Sequence, residues 1–446
     1  MNLLRRLIVF LPLLAPLASA AQAPTDTLTL EASRAEEAAR RLVEAGFTNV
    51  RSVETASFTA FTVENDYYKI PAEGFARAVQ ILEGAGLDES KPVKLIGTSF
   101  KVPEVTITYD PAEGRWRTTK RLDASWGAVR RQPMLNNSFG KVDINVYPQV
   151  SLMNLIITQV YQSLWQISPA VEVPLWPGAK FSFQVKIPVF NDGYGVTEGL
   201  PHPGFITLSQ RFRDPWYLNI FGKVTLGIFN SNYMGGALEL AYWFPNERFW
   251  IDTKMGMLDQ VRFGPSVIAV GGVRKKGPLP EWLVGFWFHP NATPNWRFVW
   301  NVAANYYCPA LQTQFTLRFE RYLLRDYGFK FEMIRHFRHC SIGFYAMKGL
   351  DKAAHTNGGF RFQIALPPYR ARRFGYVPRI TTSGQMGMSY NANNELYYYK
   401  EFRSEASDNI SSKNYYNPYY IDAAINRSNP NWKKKDDAFL RWLIGE

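Results

Sequence analysis

The sequence predicts a mainly β chain: a transmembrane antiparallel β-barrel with a small α/β domain on its N-terminal side. Three observations lead there. From about residue 140 onward, apolar side chains recur at every second position over runs close to the roughly nine to eleven residues that cross a bilayer at a tilt. The opposite faces of those runs carry full charges in mid-run, which a strand tolerates where its second face meets enclosed water. Trp and Tyr gather near run ends, as in WYLNIF (216–221), AYWFPNERFW (241–250) and WRFVWNVAANYY (296–307). Rings with one polar edge suit the headgroup level of a membrane.

Composition fits this frame without selecting it. The 446 residues are 46% hydrophobic and 15% aromatic, and 51 Lys and Arg against 38 Asp and Glu give a net charge of +13. Such a balance admits nucleic acid, anionic lipid or an acidic polymer as partner. No nucleic-acid reading element is evident, so no nucleic-acid partner is expected.

Taken in order, residues 1–20 read as a secretory signal peptide. MNLLRR is a positive n-region, LIVFLPLLAPL an apolar h-region, and Ala18-Ser19-Ala20 a small-x-small cleavage site. Later apolar runs are broken by charge, Pro or Gly before the ~18 residues of a spanning helix. Export without a helical anchor fits delivery to a Gram-negative outer membrane.

Residues 28–112 read as a periplasmic α/β domain with helices over one sheet face. LTLEA is extended. SRAEEAARRLVEAG opens on Ser33 with Glu36 three residues on, and stops at Gly46. NVRSVE and FTAFTVEN are extended. PAEGFARAVQILEGAG has Pro71 in its first turn and Gly84 and Gly86 at its end. PVKLIGTSF and VPEVTITYD close the segment as strands.

Residues 140–390 supply the barrel strands. SLMNLIITQVYQSLWQI (151–167) reads as either a helix or a strand. FSFQVKIPV sets Phe181, Phe183, Val185 and Ile187 against Ser182, Gln184 and Lys186. GALELAYWF sets Leu238, Leu240, Tyr242 and Phe244 against Glu239. WLVGFWFHP aligns Trp282, Val284, Phe286 and Phe288, and GGFRFQIALPP sets Phe360, Phe362, Ile364 and Leu366 against Arg361 and Gln363. In FTLRFERYLLRDYGFKFEMIRHF (315–337), aromatic and aliphatic side chains alternate with Arg318, Glu320, Lys330 and Glu332. In a bilayer the rings face lipid, because a charge at mid-depth costs about 2–4 kcal/mol. A secreted β-sandwich that binds or hydrolyses carbohydrate would show the same alternation with its rings in a shared core. Residues 391–446 are a polar C-terminal segment, read either as a closing strand or as a periplasmic tail.

Several segments resemble the YjbH family of exopolysaccharide-associated outer-membrane proteins. They are EAGF (44–47), TVENDYYKIPAEGFARAV (62–79), GIFNSNYMGGALELAYWF (227–244), ERYLLRDYGFKFEMIRHF (320–337) with SIGFYAM (341–347), and GGFRFQIALPP (358–368). The resemblance implies a lipid-embedded barrel with periplasmic α/β material, working beside polysaccharide synthesis and export components. It supplies no catalytic motif to carry over. The ending FLRWLIGE departs from the aromatic last residue usual in outer-membrane barrels and leaves strand number open.

No GxGxxG, Walker, GxSxG or zinc spacing is present, so no catalytic residue, cofactor or metal is assigned. Lys186, Arg318, Lys330 and Arg361 are the lumen residues expected to contact an anionic exopolysaccharide, with Glu239, Glu320 and Glu332 balancing their charge. Glu320 and Glu332 are also the pair a hydrolase would need, although mutual pairing with bases is the plainer account. Arg370, Arg372 and Arg373, and separately Lys433, Lys434 and Lys435, read as solvated runs or as contacts to anionic lipid or sugar. His336 and His339 read as interfacial turn residues. Cys308 and Cys340 read as independent thiols or as one disulfide.

Overall fold

Two sheets carry the chain. The computed structural model describes residues 33–153, 162–194, 197–229, 232–264, 281–289, 293–351, 356–365, 367–383, 386–391, 401–406 and 416–428. The signal-like stretch 1–20, LTLEA, residues 154–161 and the lysines at 433–435 lie outside them.

The first sheet follows from the mixed period of the N-terminal third. Helix α1 (Arg34–Glu44) buries Ala35, Ala38, Ala39 and Leu42 along one face. Strands β1 (Phe47–Glu54) and β2 (Thr59–Asn65) pair antiparallel. Helix α2 (Pro71–Glu83) then crosses to β3 (Val93–Ser99), which runs parallel to β2, the geometry that such a crossover permits. Strands β4 (Val102–Asp110) and β5 (Arg115–Thr119) add antiparallel at the edge. Helix α3 (Ala124–Val129) follows, with the Asp123 side chain accepting from the Ser125 N–H as its cap. On β2, Phe61 and Val63 pack beneath α1 and α2, while Ala60 joins Ile96 and Val129 on the opposite side. Helices therefore cover both faces, not one, and the α/β part runs past residue 112.

The second sheet is built from β6 (Asp143–Met153), β7 (Gln162–Pro174), β8 (Ala179–Asn191), β9 (His202–Arg213), β10 (Ile220–Phe229), β11 (Tyr233–Trp243) and β12 (Phe249–Gln260). A two-stranded ribbon of β13 (Arg262–Phe263) and β14 (Phe288–His289) interrupts it. It resumes with β15 (Arg297–Cys308), β16 (Thr313–Arg321), β17 (Tyr327–His336), β18 (Cys340–Gly349), β19 (Asn357–Ile364), β20 (Arg379–Thr382) and β21 (Met386–Asn391). The described ends of SLMNLIITQVYQSLWQI are strand, in β6 and β7. Pairing is antiparallel from β6 through β19 and on to β21. The expected all-antiparallel order fails at one place. β20 and β21 lie parallel to the two halves of β6, pairing Asp143–Val146 and Gln149–Met153 respectively. β6 thus bonds to β7 as well as to β20 and β21.

One expected strand is absent. WLVGFWFHP forms a 3-10 turn over Glu281–Phe286 and only then the two residues of β14. Pro280 precedes it, and Gly285 sits so close to the Pro201 carbonyl that a Cβ there would fall 1.9 Å from its oxygen.

The alternation itself holds. On β17 the odd positions are exposed and the even ones buried: Phe329 and Phe331 are each 46% exposed, while Lys330 between them is 0% exposed. Trp165, Phe190, Leu226, Ile251, Phe298, Leu317 and Phe344 share the exposed side. These rings are not interleaved in a core, and Lys330 and Glu332 between them are buried, while Arg335 near the end of β17 is exposed.

The ends of the large sheet differ. Connections 175–178, 214–219, 244–248, 309–312 and 337–339 are short and lie at the end bearing the small sheet. There Gly178 N–H donates to Phe100 O at 2.7 Å, the Thr119 hydroxyl donates to Glu247 at 2.5 Å, and Arg338 pairs with Glu73 at 3.2 Å. The stacked rings of Trp243 and Trp250, 4.4 Å apart, enter the same apolar core as α1 and α2. Connections at the opposite end include the longer 192–201 and 261–296. Helix α4 (Pro418–Ser428), from the polar C-terminal segment, packs on α2 and β5 through Tyr420, Ile421, Ala424 and Ile425. Among the described residues no helix is long and apolar enough to cross a membrane.

Candidate functional site

The buried face of the large sheet holds two like-charge pairs. Register sets Arg318 on β16 directly opposite Lys330 on β17, and Arg211 on β9 directly opposite Lys223 on β10. Like charges in this position repel and destabilise a ladder unless anions intervene.

Acids of the wall supply part of the compensation. Glu332, two residues along β17, receives Lys330 at 3.2 Å, Arg361 of β19 at 3.0 Å and Arg318 at 3.5 Å. Glu239, opposite Lys223 on β11, accepts from it at 2.9 Å. Glu320 lies 3.8 Å from Arg318. The Tyr345 ring completes this patch, with Lys330 and Arg361 4.9 and 5.0 Å from its centroid.

The rest comes from the C-terminal segment. Residues 401–406 belong to no strand yet lie against the buried face. Glu401 contacts Lys330 and reaches Arg318 and Arg361 at 3.7 Å each. Glu405 meets Lys223 at 2.5 Å and Arg211 at 3.2 Å. Between them the Ser404 hydroxyl donates to Glu239, and Lys254 of β12 donates to the Phe402 carbonyl at 2.9 Å. The Phe402 ring packs edge-on against Phe229 at 5.0 Å. It covers Gly256 so closely that a Cβ there would lie 3.3 Å from the ring. Small residues at this level, Ala237 and Gly256, make the room.

A cavity of about 450 Å³ runs along this face. Its lining joins Arg318, Glu320, Glu332 and Arg361 to Lys180, Arg211, Lys223 and the segment 401–406. Tyr68, Lys69 and Lys120 of the α/β part line it as well. Lys120 is held at the junction by Glu104 at 3.7 Å and by the rings of Phe221 and Trp243, at 4.8 and 4.9 Å. Burial there pushes its ammonium down to about 8.

Of the residues the sequence singles out, Arg318, Lys330, Arg361, Glu320 and Glu332 converge in one network, and Glu239 joins it through the segment at Ser404. Lys186 stands apart on β8, opposite His202. Glu320 and Glu332 share one guanidinium, that of Arg318, at 3.8 and 3.5 Å, the mutual pairing with bases that the sequence suggests. Arg373 is neither solvated nor at a lipid surface. Its buried guanidinium meets Asp66 at 3.2 Å and Asp143 at 2.8 Å, and Arg379 bridges the same two carboxylates. Arg370 lies 3.9 Å from Asp66, and Arg372 faces the Tyr67 ring. His336 is buried, with Nδ1 2.9 Å from the Ser341 hydroxyl. Cys308 and Cys340 are free thiols.

Sequence reasoning missed Lys180, Arg211, Lys223, Glu401 and Glu405. The acidic pair does have a signal, KEFRSEA, with glutamates four apart and a lone aromatic between them. Comparison with family models, with curated proteins and with solved structures gave no match.

Proposed function

We propose that the chain is an outer-membrane β-barrel that assists the secretion or surface assembly of an anionic exopolysaccharide, with its α/β part on the periplasmic side. The observation that carries the reading is the inverted polarity of the large sheet, with rings outside and ions inside. Continuous exposed apolar surface of this kind in water is a liability, and against hydrocarbon it is the stable arrangement.

Other features agree. Pairing runs from β6 through β19 and β21 and returns to β6, an order that favours a closed wall, with β20 paired to β6 alone. Five of the connections at the end bearing the small sheet are short turns, as in the periplasmic turns of such barrels, although 365–378 at the same end is long. The interior cations suit weak, repeated contact with an acidic polymer, which lets it enter without being trapped. The aromatic rings that line the same cavity offer flat faces to sugar rings.

The test has two parts. The mature chain should fractionate with outer membranes and migrate differently on gels before and after boiling. Cells lacking it should release less acidic polysaccharide. A monodisperse chain soluble without detergent would end the membrane reading, and undiminished polysaccharide release would end the functional one.

A further inference from the structure

We infer that residues 401–406 are a built-in occupant of a two-point polyanion site, displaced when an acidic polysaccharide binds. The inference rests on the function proposed above and adds the site, its second half and what holds it closed. Arg318 with Lys330 forms one cationic point and Arg211 with Lys223 the other. Each receives one carboxylate from the segment, Glu401 at the first and Glu405 at the second.

Four residues of extended chain span at most about 14 Å. The two points are therefore within reach of one short stretch of a polymer that carries carboxylates at intervals. The segment lies outside the ladder and is held by side chains rather than by strand pairing: ion pairs, the hydrogen bonds of Ser404 to Glu239 and of Lys254 to the Phe402 carbonyl, one ring and one buried methyl, Ala406. Two such points on one wall, each completed by a carboxylate from elsewhere in the chain, form a surface that an incoming polyanion can complete in the same way. Occupancy by chain and occupancy by polymer exclude each other, so apparent affinity is reduced by the fraction of molecules whose site is already filled.

The experiment uses the full chain in detergent micelles, with polygalacturonate as probe and dextran and poly-glutamate as controls. The double variant E401Q/E405Q should bind polygalacturonate about tenfold more tightly than the unaltered chain, within the range of ordinary coupling between sites. Equal or weaker binding overturns the inference. A second measurement keeps both glutamates. In a C308S/C340S background, A406C places a thiol at a buried position. Its alkylation by a water-soluble maleimide should accelerate about tenfold or more when polygalacturonate is added and not when dextran is. Bound polymer with unchanged alkylation overturns the inference, as does failure of either protein to bind the polymer. An equal response to poly-glutamate overturns the assignment to a glycan. The proposed function fails separately, by a chain found outside the membrane or dispensable for export.

Discussion

Replacing Phe331 with arginine places a charge midway along β17, on the exposed side, opposite Leu317 and Ala346. The ring is 46% exposed and stacks loosely on Phe315, with centroids 6.4 Å apart, so Phe331→Ala measures what is lost with the ring alone. Against hydrocarbon, arginine near mid-depth costs about 2–4 kcal/mol. The Phe331→Arg chain should therefore be less stable than Phe331→Ala by roughly 30- to 700-fold in its folding equilibrium. Tyr327 begins the same strand on the same side; near a headgroup boundary Tyr327→Arg should cost only about 0–1 kcal/mol. Urea titration of the full chain in phospholipid vesicles, followed by the boiling-dependent gel shift and by tryptophan fluorescence, yields all three values. The reasoning fails if Phe331→Arg and Phe331→Ala agree within about 0.5 kcal/mol, the scatter of ordinary surface substitutions. Equal costs at 327 and 331 would also refute it, because depth dependence separates a bilayer from any other apolar contact.

Three further outcomes are expected. Lys330→Met leaves the buried Glu332 and Glu401 to Arg318 and Arg361 alone and should cost about 1–3 kcal/mol, the range for losing one partner of a buried charged group. Adding Glu401→Gln should then cost at least about 1 kcal/mol less than it does in the unaltered chain, and additivity in denaturant titrations would disprove the coupling. Burial raises the Asp422 carboxyl from 3.8 to about 7 against the opposing hydrogen bond from Thr118 N–H at 2.9 Å. The folded chain keeps this proton longer than the unfolded one, so α4 docking should weaken as pH rises from about 4 to 7. Hydrogen exchange in α4 should report that slope, and Asp422→Asn should flatten it; an unchanged slope in the variant would refute the assignment. Burial pulls the Asp66 carboxyl up, but Arg379, Arg373 and Arg370 outweigh it and hold it below its ordinary value. Its contribution should be complete above about pH 4 and fade as acid protonates it. Asp66→Asn should remove that part of the acid sensitivity, and an identical acid-unfolding profile would count against it.

How much of this was legible follows from how far each signal reaches along the chain. Period two is local, so the faces of Phe315–Glu320 and Tyr327–Met333 could be read directly, and the structure places them as read. The helices α1 and α2 carry their own stripes and stops, and they too stood out. WLVGFWFHP misled because a short apolar run has no period strong enough to resist its surroundings. Its conformation is decided by the approach of Gly285 to the Pro201 carbonyl, about eighty residues away in sequence. Arg373 misled for the same reason: RARR reads as a solvated run until Asp66 and Asp143 arrive from two other elements.

The segment 401–406 is the extreme case. Its glutamates find partners 71 and 182 residues away, and nothing in KEFRSEA points at either. Register supplies the reason those partners want it. A ladder that sets arginine opposite lysine twice is frustrated as a wall, and its own Glu239, Glu320 and Glu332 supply part of the relief. An interior evolved merely to stay wet could have alternated its signs along neighbouring strands. One that leaves two cationic points for carboxylates carried on another piece of chain fits the displaceable occupant inferred above. The sequence singles out Arg318 and Lys330 but not Arg211 and Lys223, and only the register shows that each couple is paired.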